Sequence, residues 1–143
     1  MKNLIIALLF LGPVSAMACA NFAGNFTCTE VGDNYTYNLT VQQNGNAFTI
    51  TDDDGSEEFI ADGNRRSIPN DTNMRNASYV ATCQGQSVVL QMTGEIFDDQ
   101  TGQSFPFQAD MNHQNVNRNH VTQTTVTQVL GQTTTTTTQC RRN

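Results

Sequence analysis

Two histidines, His113 and His120, are the chain's only imidazoles, and so its only candidates for an imidazole base or a nitrogen ligand to a metal. They flank an Asn-rich stretch around Val116 and Asn117. If the chain reverses there, the two rings face each other across a hairpin at a distance where they could share a metal. Two ligands do not complete a site, and the nearest carboxylate is Asp110. A hydrophilic loop accounts for the pair, and the expectation is that no metal binds.

Asp52, Asp53, Asp54, Glu57 and Glu58 crowd five carboxylates around Gly55 and Ser56. Calcium, a hard cation wanting about six to eight oxygens, is the natural candidate. The EF-hand loop places its glycine sixth, whereas Gly55 is fourth counting from Asp52. A solvated hairpin tip whose charges discourage edge pairing explains the same residues.

Nucleophilic chemistry finds no complete set. Past residue 18 the serines are Ser56, Ser67, Ser78, Ser87 and Ser104, none within Gly-x-Ser-x-Gly. Lys2 is the chain's one lysine, so no later residue can form a Schiff base or a phosphate-loop contact. Asp98 and Asp99 fall in a polar loop, where spacing alone cannot set the carboxylate separation that glycoside chemistry requires. The expectation is a protein without catalytic residues or cofactor.

The start of the chain supplies an address. One lysine precedes an apolar run through Leu11, then the breakers Gly12 and Pro13, then small residues ending Ala16-Met17-Ala18. Met1 to Ala18 reads as a secretory signal peptide. The run is far shorter than the roughly 20 residues a membrane helix needs, and no later segment approaches it, so no transmembrane segment is expected. Cys19 follows directly, which raises outer-membrane lipoprotein acylation as an alternative, although a lipobox wants a branched aliphatic where Ala16 stands. Otherwise the product is secreted or periplasmic.

Removal of 18 from 143 residues leaves a single domain, 19–143, of 125 residues; its six Arg against 13 acidic residues give a net charge of −7. That balance disfavours nucleic acid, since Arg65-Arg66 and Arg141-Arg142 are isolated pairs. Only 23 of the 125 are Leu, Ile, Val or Phe, which implies a thin core. Cys19, Cys28, Cys83 and Cys140 all remain, an even count that reads as two disulfides of undetermined connectivity in an exported chain.

The elements that must carry these residues are strands. Tyr35, Tyr37, Leu39 and Val41 alternate with polar residues, Asn44-Gly45 can turn, and Phe48 and Ile50 return antiparallel. Asp54-Gly55 and Asp62-Gly63 predict two further hairpins, and Asn70 to Asn76 a loop. Ser78 to Cys83 is extended, Gln84-Gly85 turns, and Val88, Leu90 and Met92 share a face, as do Phe105, Phe107, Ala109 and Met111. Pro106, on the opposite face of that last run, predicts an edge or bulged strand because proline donates nothing to a ladder. After Asn119 the pattern degrades; Thr133 to Thr138 favours a strand without committing a face. Eight to ten short strands without a helix resolve as an up-and-down antiparallel β-barrel, or alternatively a β-sandwich. The predicted core or ligand-lining set is Phe26, Tyr35, Tyr37, Leu39, Phe48, Ile50, Leu90, Phe105 and Phe107.

Phe22-Ala23-Gly24-Asn25-Phe26 resembles the Gly-x-Trp signature of lipocalins and calycins, with Phe26 at the tryptophan position. More of the chain resembles secreted proteins of predatory Gram-negative bacteria. The shared features are a cysteine (Cys19) before Gly-x-aromatic-x-Cys (Gly24 to Cys28), an Asp-Gly turn (Asp62-Gly63), Tyr-x-Ala-x-Cys (Tyr79 to Cys83) and a terminal Cys-Arg (Cys140-Arg141). The resemblance implies an exported β-barrel and carries no activity with it. The expectation for function is an exported non-enzymatic binding protein, holding a small apolar ligand inside a barrel or a protein partner at its rim. Inward aromatics would fill a small barrel, so a surface-interaction or protease-inhibitor-like envelope protein is the second reading.

Overall fold

Residues 18–143 are described in the computed structural model, so all but the last residue of the expected leader lies outside the described residues. Ten strands follow in order: β1 (Gly24–Glu30), β2 (Thr36–Asn44), β3 (Ala47–Thr51), β4 (Ser56–Ile60), β5 (Asp62–Ser67), β6 (Met74–Gln84), β7 (Ser87–Asp98), β8 (Gln103–Asn117), β9 (His120–Val129) and β10 (Gln132–Arg142). Each pairs antiparallel with its successor except β4 with β5, and β10 pairs back onto β1. The described chain is therefore an up-and-down β-barrel with one open seam, and it contains no helix.

Turn chemistry sets the register. Asn44 pairs with Ala47 across a two-residue loop in which Gly45 takes φ 63°, a left-handed value that glycine reaches without steric cost. The β9–β10 turn needs positive φ at both loop positions, and Leu130 occupies the first at φ 52° with its side chain exposed.

The turns divide the barrel into two unlike ends. At one end lie the β2–β3, β6–β7 and β8–β9 turns, and the segment before β1 folds across it. Phe22 is buried there, edge-on to Phe48 at 6.2 Å, and Phe48 stacks on Phe59 at 4.9 Å. Phe26, Val88, Val121 and the Cys28–Cys140 bridge complete this packed end. The Phe22 N–H donates to Gln43 Oε1 at 2.7 Å, and Gln43 Nε2 donates to the Ala20 carbonyl at 3.0 Å, which fixes the plug's backbone. Arg142, opposite Phe26 in the ladder, lays its guanidinium over that ring and donates from Nη1 to the Ala23 carbonyl at 2.5 Å. Gly24 leaves the room, because a Cβ there would meet Arg142 Nη1 at 2.8 Å.

Both disulfides act on closure. Cys28 and Cys140 are register partners on β1 and β10, so their bridge crosses the junction between first and last strand. Cys19 joins Cys83 on β6 and staples the plug to the wall. The bridges span 64 and 112 residues, and loops of that length correspond to about 4 to 5 kcal/mol each in the chain-entropy account. The Cys19–Cys83 bridge also engages the sulfur that acylation of Cys19 would need.

Several expectations are corrected. Asp62-Gly63 closes no hairpin: the chain turns a corner at Ala61, whose N–H donates to the Asn46 carbonyl, and β5 pairs with β6 instead, bulging between Asp62 and Arg65. Across the resulting seam the Ile60 N–H donates to the Tyr79 hydroxyl at 3.2 Å. The expected loop to Asn76 is shorter, because β6 starts at Met74 and absorbs Asn76 in a bulge at φ 51°. Pro106 sits on an interior strand, yet β8 pairs with β9 only from Phe107 onward, so the missing N–H falls where just one neighbour is present. Phe105 and Phe107 face inward as expected but are half-buried and lie beyond the packed cluster. Tyr35 is not in the core either; it is 57% exposed and precedes β2 at the rim.

Candidate functional site

The opposite end, bounded by the β1–β2, β3–β4 and β5–β6 connections, is open. It holds a cavity of about 600 Å³, within the range that accommodates small organic ligands. Period-two alternation supplies the walls: Tyr37 and Leu39 from β2, Ile50 from β3, Phe59 from β4, Tyr79 from β6, Leu90 and Met92 from β7, and Met111 and His113 from β8. Below it the interior narrows to an apolar void of only about 30 Å³ among Phe22, Phe26, Phe48 and Val121. The barrel is filled at one end and hollow at the other.

One wall stands higher than the rest. Pairing of β1 with β10 ends at Glu30 and Thr138, so Gln132 to Thr137 run on, roughly 20 Å of strand, with β9, β8 and β7 alongside. Phe107 packs inside this lip against Gly94.

The acidic turn forms the opposite rim. Asp52 Oδ1 accepts from the N–H groups of Asp54 at 2.9 Å and Gly55 at 3.1 Å, so it caps its own turn. The alternation that buries Phe48 and Ile50 carries on to Asp52, and Glu57, paired with Ile50, shares the inward face of Phe59. Asp53, Asp54 and Glu58 border the same opening. The one salt bridge among the described residues, Arg66 to Asp62 at 2.6 Å, lies away from this rim on β5. The Arg66 guanidinium holds the Asp62 carboxyl below the usual carboxylate range.

Polar groups also border the hollow. Burial raises the Tyr37 phenol above its ordinary value; the Thr138 hydroxyl opposes this, and the Asp52 and Glu30 charges reinforce it. Tyr35 stacks on Tyr37 with centroids 5.8 Å apart. His113, paired with Gln123, is half-buried in the wall and borders the cavity. Burial alone pulls its pKa down to about 4, with no hydrogen bond or charge acting on the ring, so the imidazole is neutral near pH 7.

The two histidines do not converge. The β8–β9 turn is Arg118-Asn119, centred two residues later than expected, and with the bulge between Asn115 and Asn117 it pairs His120 with Asn117 and His113 with Gln123. His120 points outward and bonds the Gln139 side chain. Among the described residues no three His, Cys, Asp or Glu side chains gather as a metal site. Asp98 is occupied by its own turn, where the Thr101 hydroxyl at 2.8 Å lowers its pKa.

Of the nine predicted core or lining residues, Tyr35, Tyr37, Leu39, Ile50 and Leu90 border the cavity, Phe26 and Phe48 pack beneath it, and Phe105 and Phe107 line neither. The wall residues Phe59, Ile68, Met74 and Gln123 were missed. Phe59 carried a usable signal as the one aromatic in an extended run; Gln123, inside a Thr and Gln stretch, carried none.

No protein-family model, curated protein or solved structure matches the chain. The functional reading rests on the cavity itself.

Proposed function

We propose that the protein is an exported, non-enzymatic carrier that holds a small ligand with an apolar body in the open end of its barrel. The cavity of about 600 Å³ carries this reading, because below its acidic rim its walls are mainly aliphatic, aromatic and thioether side chains on strands. Fixed strands keep the hollow preformed, which lowers the ordering cost of binding. The second reading, an envelope protein whose filled barrel only presents loops, fits the packed end but not the open one. Export is part of the proposal: two disulfides suit an oxidising compartment, and Met1 to Ala18 has the pattern of a cleaved leader.

Native mass spectrometry of protein purified from its own host, with saturation binding of the neutral fluorophore N-phenyl-1-naphthylamine, tests the reading. The expected outcome is one bound probe per chain, abolished by Met92→Trp, which fills the hollow. Absence of both saturable probe binding and a co-purifying small molecule would sink it.

A further inference from the structure

Resting on that reading, we infer that the ligand is an amphipathic cation: its ammonium head sits between the acidic rim and Tyr35, and its apolar body runs down the hollow toward His113. Five carboxylates border the opening, and among the described residues no Lys or Arg lines it. Asp52 and Glu57 lie on the inward face, so their charge is directed at whatever occupies the mouth. Low-dielectric walls focus such a field. A carboxylate-headed lipid entering here meets like charge, whereas an ammonium gains from every rim group.

Two further observations point to an occupant. Tyr35 is 57% exposed yet held against Tyr37 in a stack, which presents an aromatic face beside the carboxylates. Aromatic faces flanked by acids are a recurrent setting for ammonium groups. In the wall, half-buried His113 has no hydrogen-bond or charge partner and faces the hollow. Its ring nitrogens, unclaimed by the protein, are free to pair with a hydroxyl or amide in the ligand's tail. The neutral ring adds no repulsion toward a cation.

The test is a series with one body and three heads: decylamine, decanol and decanoate, each below its micelle concentration, measured by calorimetry at low and high salt. Decylamine should bind about tenfold more tightly than decanol, with decanoate weakest. The amine's advantage should shrink to about twofold in 1 M salt and in Asp52→Asn/Glu57→Gln, while decanol binding is unchanged. Asparagine keeps the oxygen that caps the turn, and thermal melts confirm that the variant folds. Tyr35→Ala, at an exposed site, should weaken only the amine, by about threefold. Decanol binding as tightly as decylamine would overturn the cationic assignment and leave the carrier reading intact. If none of the three heads and no N-phenyl-1-naphthylamine binds, both fall.

Discussion

Gly94→Ala tests the packing inside the lip, because two effects of opposite sign meet there. Gly94 is in β7, and its φ lies outside the left-handed region, so alanine fits the backbone. At such a strand position alanine normally stabilises by about 0.5 to 1 kcal/mol, since it removes unfolded-state freedom. Here an added Cβ would meet Phe107 Cε1 at 2.8 Å and the Cα and Cβ of Ala77 at 2.9 Å. The ring can rotate away, but Ala77 is backbone in a neighbouring strand and yields only if β6 shifts. Overpacking of that kind costs about 1 to 3 kcal/mol. The net expectation is destabilisation by about 1 to 2 kcal/mol, or a fall in Tm of about 4 to 8 °C for a domain of this size. Urea unfolding should show a lower midpoint at unchanged slope. In a Phe107→Ala background the same substitution should cost at least about 0.5 kcal/mol less, because the two side chains share a contact. A neutral or stabilising Gly94→Ala, or strict additivity with Phe107→Ala, would refute the packing described for the lip.

Leu130→Asn should stabilise by about 1 kcal/mol, since asparagine tolerates the left-handed backbone that an exposed leucine holds at φ 52°; a melt shifted downward would show that Leu130 makes a contact of its own. Replacing both Cys28 and Cys140 by Ala should cost about 4 kcal/mol and leave Cys19–Cys83 intact by intact mass after alkylation; an unchanged urea midpoint would remove the bridge from the account of barrel closure. His113 predicts an acid limb. Its folded pKa of about 4 lies below the ordinary 6.5, so as pH falls through that interval the unfolded chain takes up the proton first and stability declines, by up to about 3 kcal/mol. His113→Gln should flatten the urea midpoint between pH 6.5 and 4, and an undiminished slope in that variant would assign the limb to another group.

What could be read from sequence follows the range of the interactions responsible. Alternation around Tyr37 and Leu39 and the turn at Gly45 are local, so β2 and β3 were legible in face and register. Asp62-Gly63 misled because its turn chemistry is real but its partner is not local: β5 takes its hydrogen bonds from β6, and only three-dimensional closure shows that β4 pairs with β3 alone. His113 and His120 were separated because the turn falls two residues later and a bulge between Asn115 and Asn117 adds one more, so His113 pairs with Gln123, three positions from His120, and an odd offset in a strand inverts the face. The cavity was the least legible feature. Its walls are the same Tyr, Leu, Ile and Met residues that would make a packed core, and nothing in their spacing says whether the facing strand brings a side chain large enough to meet them.

That facing strand explains why the barrel is hollow. On β9 and β10 the inward positions level with Met111 and His113 are Gln123, Thr125, Thr136 and Thr138, side chains too short or too polar to fill the space left by the opposite wall. With so few large aliphatic residues, the chain packs one end fully, around Phe22, Phe26 and Phe48, rather than both ends loosely. A hollow barrel of this composition forgoes the burial that would stabilise its open half, and covalent closure offsets the loss: Cys28–Cys140 locks the β1–β10 junction and Cys19–Cys83 holds the plug. The disulfides and the cavity are thus linked. Filling the hollow with a larger residue at Thr125 should reduce the destabilisation caused by Cys28→Ala/Cys140→Ala while it abolishes probe binding, and a substitution that filled the space without either effect would break that link.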